Sequence, residues 1–411
     1  MPDRYDVIIV GAGPAGSALA TLLARAGQRV ALLDAASFPR QKVCGEYLGA
    51  GAWPVLEMLG VAPAIQSIAV PVCDVSLVLP TGARLSATVE PPPGAGPARG
   101  ACCTTPVALS RYRLDHLLVE AAAHAGAEVM LETRVGDVLI ERDRVCGVAA
   151  RSSSASSAPL QLQARVLVAA DGRNSRIVAQ TGQRSRRGPA IVGFKRYAPP
   201  EDAAGLPAGM LEMHSLSGGY VGVCRVEDGQ TNLCGVLPRR LVSAARGAFT
   251  AAIGNWIGEQ PALAHYMDSA NDESRWWTVA DVSTQSARPC VAGVLYVGDA
   301  CGTIEPLTGQ GMTMALTAAL LASQSLTSAA SESLDSEAQV AYDGAWHAQF
   351  NPVIRRARAM GWLLRHPRVI QRLTQVDRLR AGLAERIFGQ IFRHSSGDAV
   401  ARRLAPAAPV V

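Results

Sequence analysis

The sequence predicts an α/β protein: a parallel sheet wound with helices, interrupted in chain order by an antiparallel sheet, and followed by a helical region. Three observations predict it. A β-branched apolar run, Asp6–Val10, is followed by Gly11, Gly13 and Gly16, a helical stretch over Pro14–Ala26, and a second apolar run, Arg29–Leu33, ending in Asp34. From Ala190 to Val236 the pattern changes to short alternating segments. A buried-strand pattern then returns at Val291–Val297 and leads into an apolar helix from Gly309 to Ser328.

The first run is apolar without alternation, as suits a parallel strand covered on both faces. Gly11 permits a tight turn, Gly13 lets backbone approach a pyrophosphate, and Gly16 lets the helix pack closely on the strand. The helix N-terminus then offers free N–H groups and a dipole to negative charge. Asp34 stands about 20 residues past the glycines, where an acidic side chain accepts from a ribose hydroxyl. The glycine spacing alone is weak. In this order, strand, glycines, helix, strand and terminal acid read as a Rossmann-type dinucleotide site.

At 411 residues the chain has room for two or three domains and a large core. The strand begins close to Met1, so no signal peptide is expected. No apolar run reaches the ~18 residues of a membrane span. Nine cysteines are scattered with no C-x-x-C pair and no histidine at ligand spacing. Reduced thiols, no metal and a cytoplasmic location are the expectation. The net charge of +5 is uneven: residues 351–411 hold twelve arginines against three acids. Only Lys42 and Lys195 are lysines. A bias toward arginine explains much of this, so arginine alone marks no phosphate site.

Along the chain, a loop FPRQKVCGE precedes a helix expected over Glu46–Leu59. Val72–Val89 alternates around Thr81-Gly82 and reads as a hairpin. After a Pro/Gly loop at Pro91–Gly100 come a helix, Ser110–Ala125, and a strand, Glu128–Leu131. Two β-rich stretches, Val135–Ala150 and Leu160–Ala169, flank a serine tract, Ser152–Ser157, expected at a solvated hairpin tip, and the order from Ser110 on reads helix, strand, hairpin, strand. The division expected is a discontinuous nucleotide-binding domain over 1–185 and 285–330, a β-sheet substrate domain over 186–284, and a C-terminal helical region over 331–411. The helices of that region are expected at Glu337–Met360, Pro367–Val376 and Arg380–Phe392 after a linker, Ala329–Ser336.

Three more motifs join the first. Arg111-x-x-Leu114-Asp115 opens a helix, and Ala170-Asp171-Gly172-x-x-Ser175 ends a strand. Gly298-Asp299-Ala300-x-Gly302, then Pro306-Leu307-Thr308-Gly309-Gln310-Gly311-Met312, joins a strand to a helix. From Asp3 to Ser328 the chain resembles FAD-dependent oxidoreductases of the glutathione-reductase fold type. Within them it is most similar to the geranylgeranyl reductase-like branch, related to group A flavin monooxygenases and flavin-dependent halogenases. The resemblance implies bound FAD, with Gly11, Gly13, Ala15 and Gly16 at the phosphates and Asp34 on the adenosine ribose. It implies Arg111 at the pyrophosphate or ribose side, Asp171 near the phosphates, and Gly298-Asp299 on the ribityl chain. Pro306, Gly309, Gly311 and Met312 would bring a helix N-terminus to the flavin ring, where reduced flavin carries negative charge.

In that branch Cys-Gly-Glu lies by the flavin ring, so Cys44 either shapes the pocket or delivers a proton, and otherwise is a small buried residue. Glu46 is a candidate general acid, or the start of a helix. Arg40 and Lys42 either attract phosphate or stand in solvent. Tyr220 matches the branch's Gly-Tyr and is a third catalytic candidate, but Val221-Gly222-Val223-Cys224-Arg225 follows it where Trp and Pro are usual. Phe194, Met213, His214 and Tyr220 are candidates for the substrate wall, against the alternative of ordinary packing. Trp276-Trp277-Thr278-Val279 lacks the halogenase spacing, and Ala300-Cys301 stands where aromatic hydroxylases carry Ala-His.

The resemblance therefore implies an oxidoreductase that reduces a carbon–carbon double bond of a small apolar substrate, whether isoprenoid, lipid or polyketide-like. The alternative is an NAD(P)H-dependent monooxygenase of aromatic or polyketide-like compounds. With no second G-x-G-x-x-G, NAD(P)H or another reductant would bind transiently. The basic C-terminal region is expected either to cap the enzyme or to touch a membrane surface. No nucleic-acid motif accompanies it. Nothing in the sequence fixes the oligomeric state.

Overall fold

A computed structural model describes residues 4–89, 105–142, 144–153, 159–182, 191–200, 205–244, 249–264, 266, 276–280, 282, 289–291, 293–328, 336–366, 368–370 and 372. The Pro91–Gly100 loop, most of the serine tract, most of the Ala329–Ser336 linker and nearly all of the chain beyond Ile370 lie outside the described residues. So do the two helices expected at 367–376 and 380–392, apart from a few positions of the first.

The apolar run Tyr5–Val10 lies in the middle of the central sheet. The strand order is Cys290–Val291, Val294–Tyr296, Leu160–Ala169, Tyr5–Val10, Val30–Leu33 and Glu128–Met130. The four junctions from Val294–Tyr296 to Glu128–Met130 are parallel, which requires crossover connections. Leu160–Ala169 serves twice. Its first residues pair antiparallel with Arg144–Ser152, which in turn pairs with Thr133–Glu141; the rest lies parallel to Tyr5–Val10. Helices Pro14–Arg25, Arg111–His124, Gly311–Ser328 and Ser336–Leu364 pack around this sheet. The last extends four residues past the expected end and contains Pro352.

The second sheet runs Trp277–Val279, Ile191–Ala198, Thr231–Pro238, Gly219–Arg225, Met210–Leu216, Asp74–Val78 and Arg84–Thr88. This redraws the expected boundary. The hairpin Asp74–Thr88, assigned by chain position to the nucleotide domain, pairs instead with Met210–Leu216. The cause is its apolar face: Val75 and Leu77 pack with Leu211 and Met213 in one buried cluster. A small third sheet of Tyr47–Leu48, Val107–Ala108 and Val70–Pro71 lies where the chain passes between the two larger ones. It also displaces the helix expected from Glu46. Tyr47–Leu48 is extended, a short 3-10 turn spans Ala50–Ala52, and the helix runs only from Trp53 to Met58.

Candidate active site

Between the two large sheets lies a cavity of about 780 Å³. Its floor is the glycine turn. Gly11 sits at φ +107°, and a Cβ there would lie 2.3 Å from Ala170 O. A Cβ on Gly16 would lie 1.9 Å from Gly11 O, so helix and turn meet backbone to backbone. Gly13 is different: the nearest atoms to a Cβ there are Nη2 of Arg40 at 3.9 Å and Nη2 of Arg111 at 4.0 Å. Two guanidinium groups thus converge over the turn. Ser110 caps the helix that Arg111 opens, and Asp115 one turn on holds the Arg111 fork at 2.6 and 2.7 Å. Arg40 lies 3.5 Å from Asp34 and 3.7 Å from Asp115. Its Nε and Nη1 are buried with no hydrogen-bond partner. Unmet buried donors cost about 1–3 kcal/mol each, so this corner is built for an acceptor that the protein does not supply.

Asp34 accepts from Ala12 N at 2.8 Å and Ala36 N at 2.9 Å, and so fixes the glycine turn to the end of the second strand. Across the floor, one Asp171 oxygen accepts from Arg176 N at 2.9 Å while the other is buried and unpartnered. Burial pushes this carboxyl up. Asp299 faces Arg173 at 3.3 Å. Gly298 at φ +60° leaves no room for a side chain, because a Cβ would come within 2.9 Å of the Ala15 methyl. Pro306 starts a 3-10 turn ending at Gly309, and the helix from Gly311 presents Met312 to the cavity. All the expected cofactor residues line this one cavity except Gly16, which packs behind it.

The candidates for the far wall divide by strand alternation. Met213 and Tyr220 line the cavity together with Leu211, Gly222, Cys234, Val236, Val279, Val282 and Leu307. Phe194 and His214 do not. Phe194 lies on the opposite face of its strand, where it packs against Trp256 and Trp276 with ring centroids 6.2 and 5.8 Å apart. His214 is fully buried beside Glu212, Nε2 to Oε2 3.1 Å, and Glu212 also pairs with Arg84. Successive residues of a strand face opposite sides; Gly193 and Met213 hold the inward positions, and their neighbours face away.

The Cys-Gly-Glu loop enters from the side and is tied at every residue. Asn232 donates to Cys44 O at 3.1 Å, and the Cys224 thiol points at Gly45 O at 3.5 Å. Glu46 adopts φ +57° and is fully buried. Its carboxylate accepts from Arg111 N at 2.8 Å, from Lys195 Nζ at 2.5 Å and from the Tyr197 hydroxyl at 2.9 Å. Burial pushes the Glu46 carboxyl up, against the pull of the Lys195 ammonium and these donors. Burial likewise pushes up the Cys44 thiol, which therefore keeps its proton at neutral pH.

Sequence reasoning missed four of these groups: Lys195, Tyr197, Glu305 and Arg365. Glu305 is buried, lies 3.5 Å from the Tyr220 hydroxyl and is paired with Arg365 at 2.6 Å. A Cβ on Gly361 would collide with its carboxyl group at 2.3 Å, which explains a glycine in a long helix. A signal did exist for Lys195: it is one of two lysines in an arginine-rich chain, and it stands beside Arg196 in a strand rich in apolar and aromatic residues.

Residues 4–357 match the model of a family described as FAD binding domain. The chain belongs to this family. It is 31% identical to a menaquinone reductase of Mycolicibacterium smegmatis, with 98% of this chain and 95% of the relative covered. To a digeranylgeranylglycerophospholipid reductase of Methanopyrus kandleri it is 28% identical, over 92% of this chain and 96% of the relative. Among solved structures, a myxobacterial chondrochloren halogenase shares the fold at TM-score 0.75 and 20% identity, with 99% of both chains covered. A geranylgeranyl bacteriochlorophyll reductase-like protein of Thermoplasma acidophilum does so at 0.70 and 21%, over 89% of this chain and 87% of the other. The chain is an FAD-dependent oxidoreductase. Its residues fit that cofactor: the bare Gly13 turn beneath two arginines, with unmet Arg40 donors, suits a pyrophosphate.

Proposed function

We propose that the enzyme reduces a carbon–carbon double bond of an apolar, isoprenoid-type small molecule. The observation that carries this reading is the far wall of the cavity. Leu211, Met213, Val236, Val279, Val282 and Leu307 make it apolar, and the charges beside it are spent on one another, Glu46 with Lys195 and Glu305 with Arg365. The reductases of isoprenoid quinone and lipid among the relatives support the same substrate class.

FAD, when bound and reduced by NAD(P)H or another reductant, supplies the hydride. The protein supplies orientation, dryness and a proton. Cys44 and Tyr220 both hold their protons, because burial pushes each group up. Cys44 is assigned as the proton donor. Tyr220, within reach of Glu305, orients the substrate and is the second candidate for proton transfer. Glu46, committed to Lys195, Tyr197 and Arg111 N, anchors the loop that carries Cys44. A lipid substrate puts the enzyme's work at a membrane surface, although among the described residues no helix is long and apolar enough to cross one.

The test is turnover by dithionite-reduced enzyme without oxygen, using an isoprenoid quinone and a geranylgeranyl-bearing glycerophospholipid as substrates. After any quinol ring has been reoxidised in air, a product two hydrogens heavier in its prenyl chain is expected, formed more slowly by Cys44→Ala with FAD still bound. A product that forms only in air and carries an oxygen atom from labelled O2 overturns the reading in favour of a monooxygenase.

A further inference from the structure

We propose that the end of helix Ser336–Leu364, with the turn that follows it, docks the enzyme on an anionic lipid bilayer. The proposal rests on the lipid-substrate reading for its purpose and on separate observations for its geometry. From Gly344 to Val376 the sequence contains no Asp or Glu. Within that span Arg355, Arg356, Arg358, Arg368 and Arg372 are exposed, and none has a carboxylate partner among the described residues. Arg355, Arg358, Trp362 and His366 follow one another at intervals of three and four, so they share one face of the helix and its continuation.

Trp362 is 52% exposed in the middle of this field. Its ring stacks on His366 at 4.6 Å and 27°, and His366 Nδ1 lies 2.6 Å from Trp362 O. The aromatic ring is thus held outward. An exposed tryptophan on one helix face with exposed arginines matches the chemistry of a membrane interface, where indole sits at headgroup depth and guanidinium groups meet lipid phosphates. A bare cationic face lacks the apolar anchor, and an apolar protein interface lacks the surplus of charge.

The opposite face of the same helix end packs behind the apolar wall of the cavity. Gly361 abuts Glu305, Arg365 pairs with it, and Leu364 O accepts from Ser215 at 2.7 Å. Leu364 and Ile370 are buried in the cluster that holds Met213, Tyr220 and Leu307. Docking here would therefore bring the bilayer to the outer side of the apolar wall.

The experiment is co-flotation of the full-length holoenzyme with substrate-free vesicles of phosphatidylcholine, with and without phosphatidylglycerol. Binding is expected to the anionic vesicles only and to fall with added salt. Trp362→Ala, and separately Arg355→Gln, Arg356→Gln and Arg358→Gln together, are expected to weaken it about tenfold or more while FAD content stays unchanged. Quenching of tryptophan fluorescence by brominated lipid is expected in the wild type and to fall in Trp362→Phe. Unchanged binding in these variants, equal binding to neutral vesicles, or binding of RNA but not of vesicles would each overturn the proposal. Because no substrate is present, none of these outcomes depends on the reaction assigned above.

Discussion

On the cofactor side of the cavity, the floor is set by residues close together in the chain: Gly11, Gly13 and Gly16 in one turn, with Asp34 bonded back to Ala12. The substrate side is assembled from distant pieces. Met213, Tyr220, Val236 and Val279 come from four strands, Leu307 from the opposite domain, and the wall is closed behind by a helix ending at Leu364. At Gly11 and Gly16 the first side tolerates no added atom, because backbone meets backbone there. The second has side-chain contacts that can give. The lesson is where specificity resides: the cradle fixes one cofactor, while the wall can change with its substrate.

The sharpest way to break this comparison is at the cradle. Gly16→Ala places a methyl group 1.9 Å from Gly11 O, far inside contact distance, and the backbone has no room to yield. Loss of nearly all bound FAD is expected, read from the ratio of flavin to protein absorbance in purified material. Normal FAD content in this variant would mean that the turn is as adaptable as the wall.

Next in size is the joint between the two sides. Lys195→Met leaves Glu46 buried without its counter-charge, and breaking a buried pair costs roughly 3–5 kcal/mol. A second change, Glu46→Gln, is expected to restore most of that, since the uncompensated charge is then gone. Chemical denaturation of the two variants checks the sign of the rescue. A double variant no more stable than the single one would make Lys195 a packing residue and not the partner that holds Glu46.

On the wall itself, Met213→Ala removes buried apolar contact and is expected to raise KM for an apolar substrate by about 1–2 kcal/mol, or roughly five- to thirtyfold. His214→Ala, one residue along and facing away, is expected to lower stability while leaving KM unchanged. A similar KM change in both variants would contradict the alternation of that strand.

The smallest effect concerns the outer face. Burial works against ionisation of Glu212, but hydrogen bonds from His214 and Arg84 prevail and bring its carboxyl down to about 2. A depressed folded pKa stabilises the fold above the ordinary carboxylate range. That contribution is lost as pH falls from about 4.5 toward 2. With Arg84 half exposed, the loss is about 1–2 kcal/mol. Glu212→Gln is expected to flatten stability against pH in that window, measured by urea titration at several pH values, with activity unaffected.

The nucleotide half was legible because its signals are local. A β-branched run, glycines at fixed spacing and an acid at the next strand's end all act within one supersecondary unit. The later motifs gained meaning from order: Asp171, Asp299 and Gly309 are each compatible with an ordinary turn or cap, yet all face one cavity. The substrate half was less legible. Alternation located strands Ile191–Ala198 and Met210–Leu216 but not which face each turned inward, since Phe194 and Met213 are equally apolar. The inward face is chosen by register against neighbouring strands, and a shift of one residue would exchange every side chain.

By itself, the sequence determined the parallel sheet, the glycine cradle, the place of Asp34 and the chemical class of the cofactor, because their signals are patterns carried within single strand–turn–helix units and in the order of those units along the chain. Only the tertiary structure moved the Asp74–Thr88 hairpin into the second sheet, turned Phe194 and His214 away from the cavity, and made Glu46 the partner of Lys195. It also brought Arg365 to Glu305 from 60 residues away. These are contacts between side chains remote in the chain. Burial makes them strong by removing the competing water, and burial is a property of the whole fold.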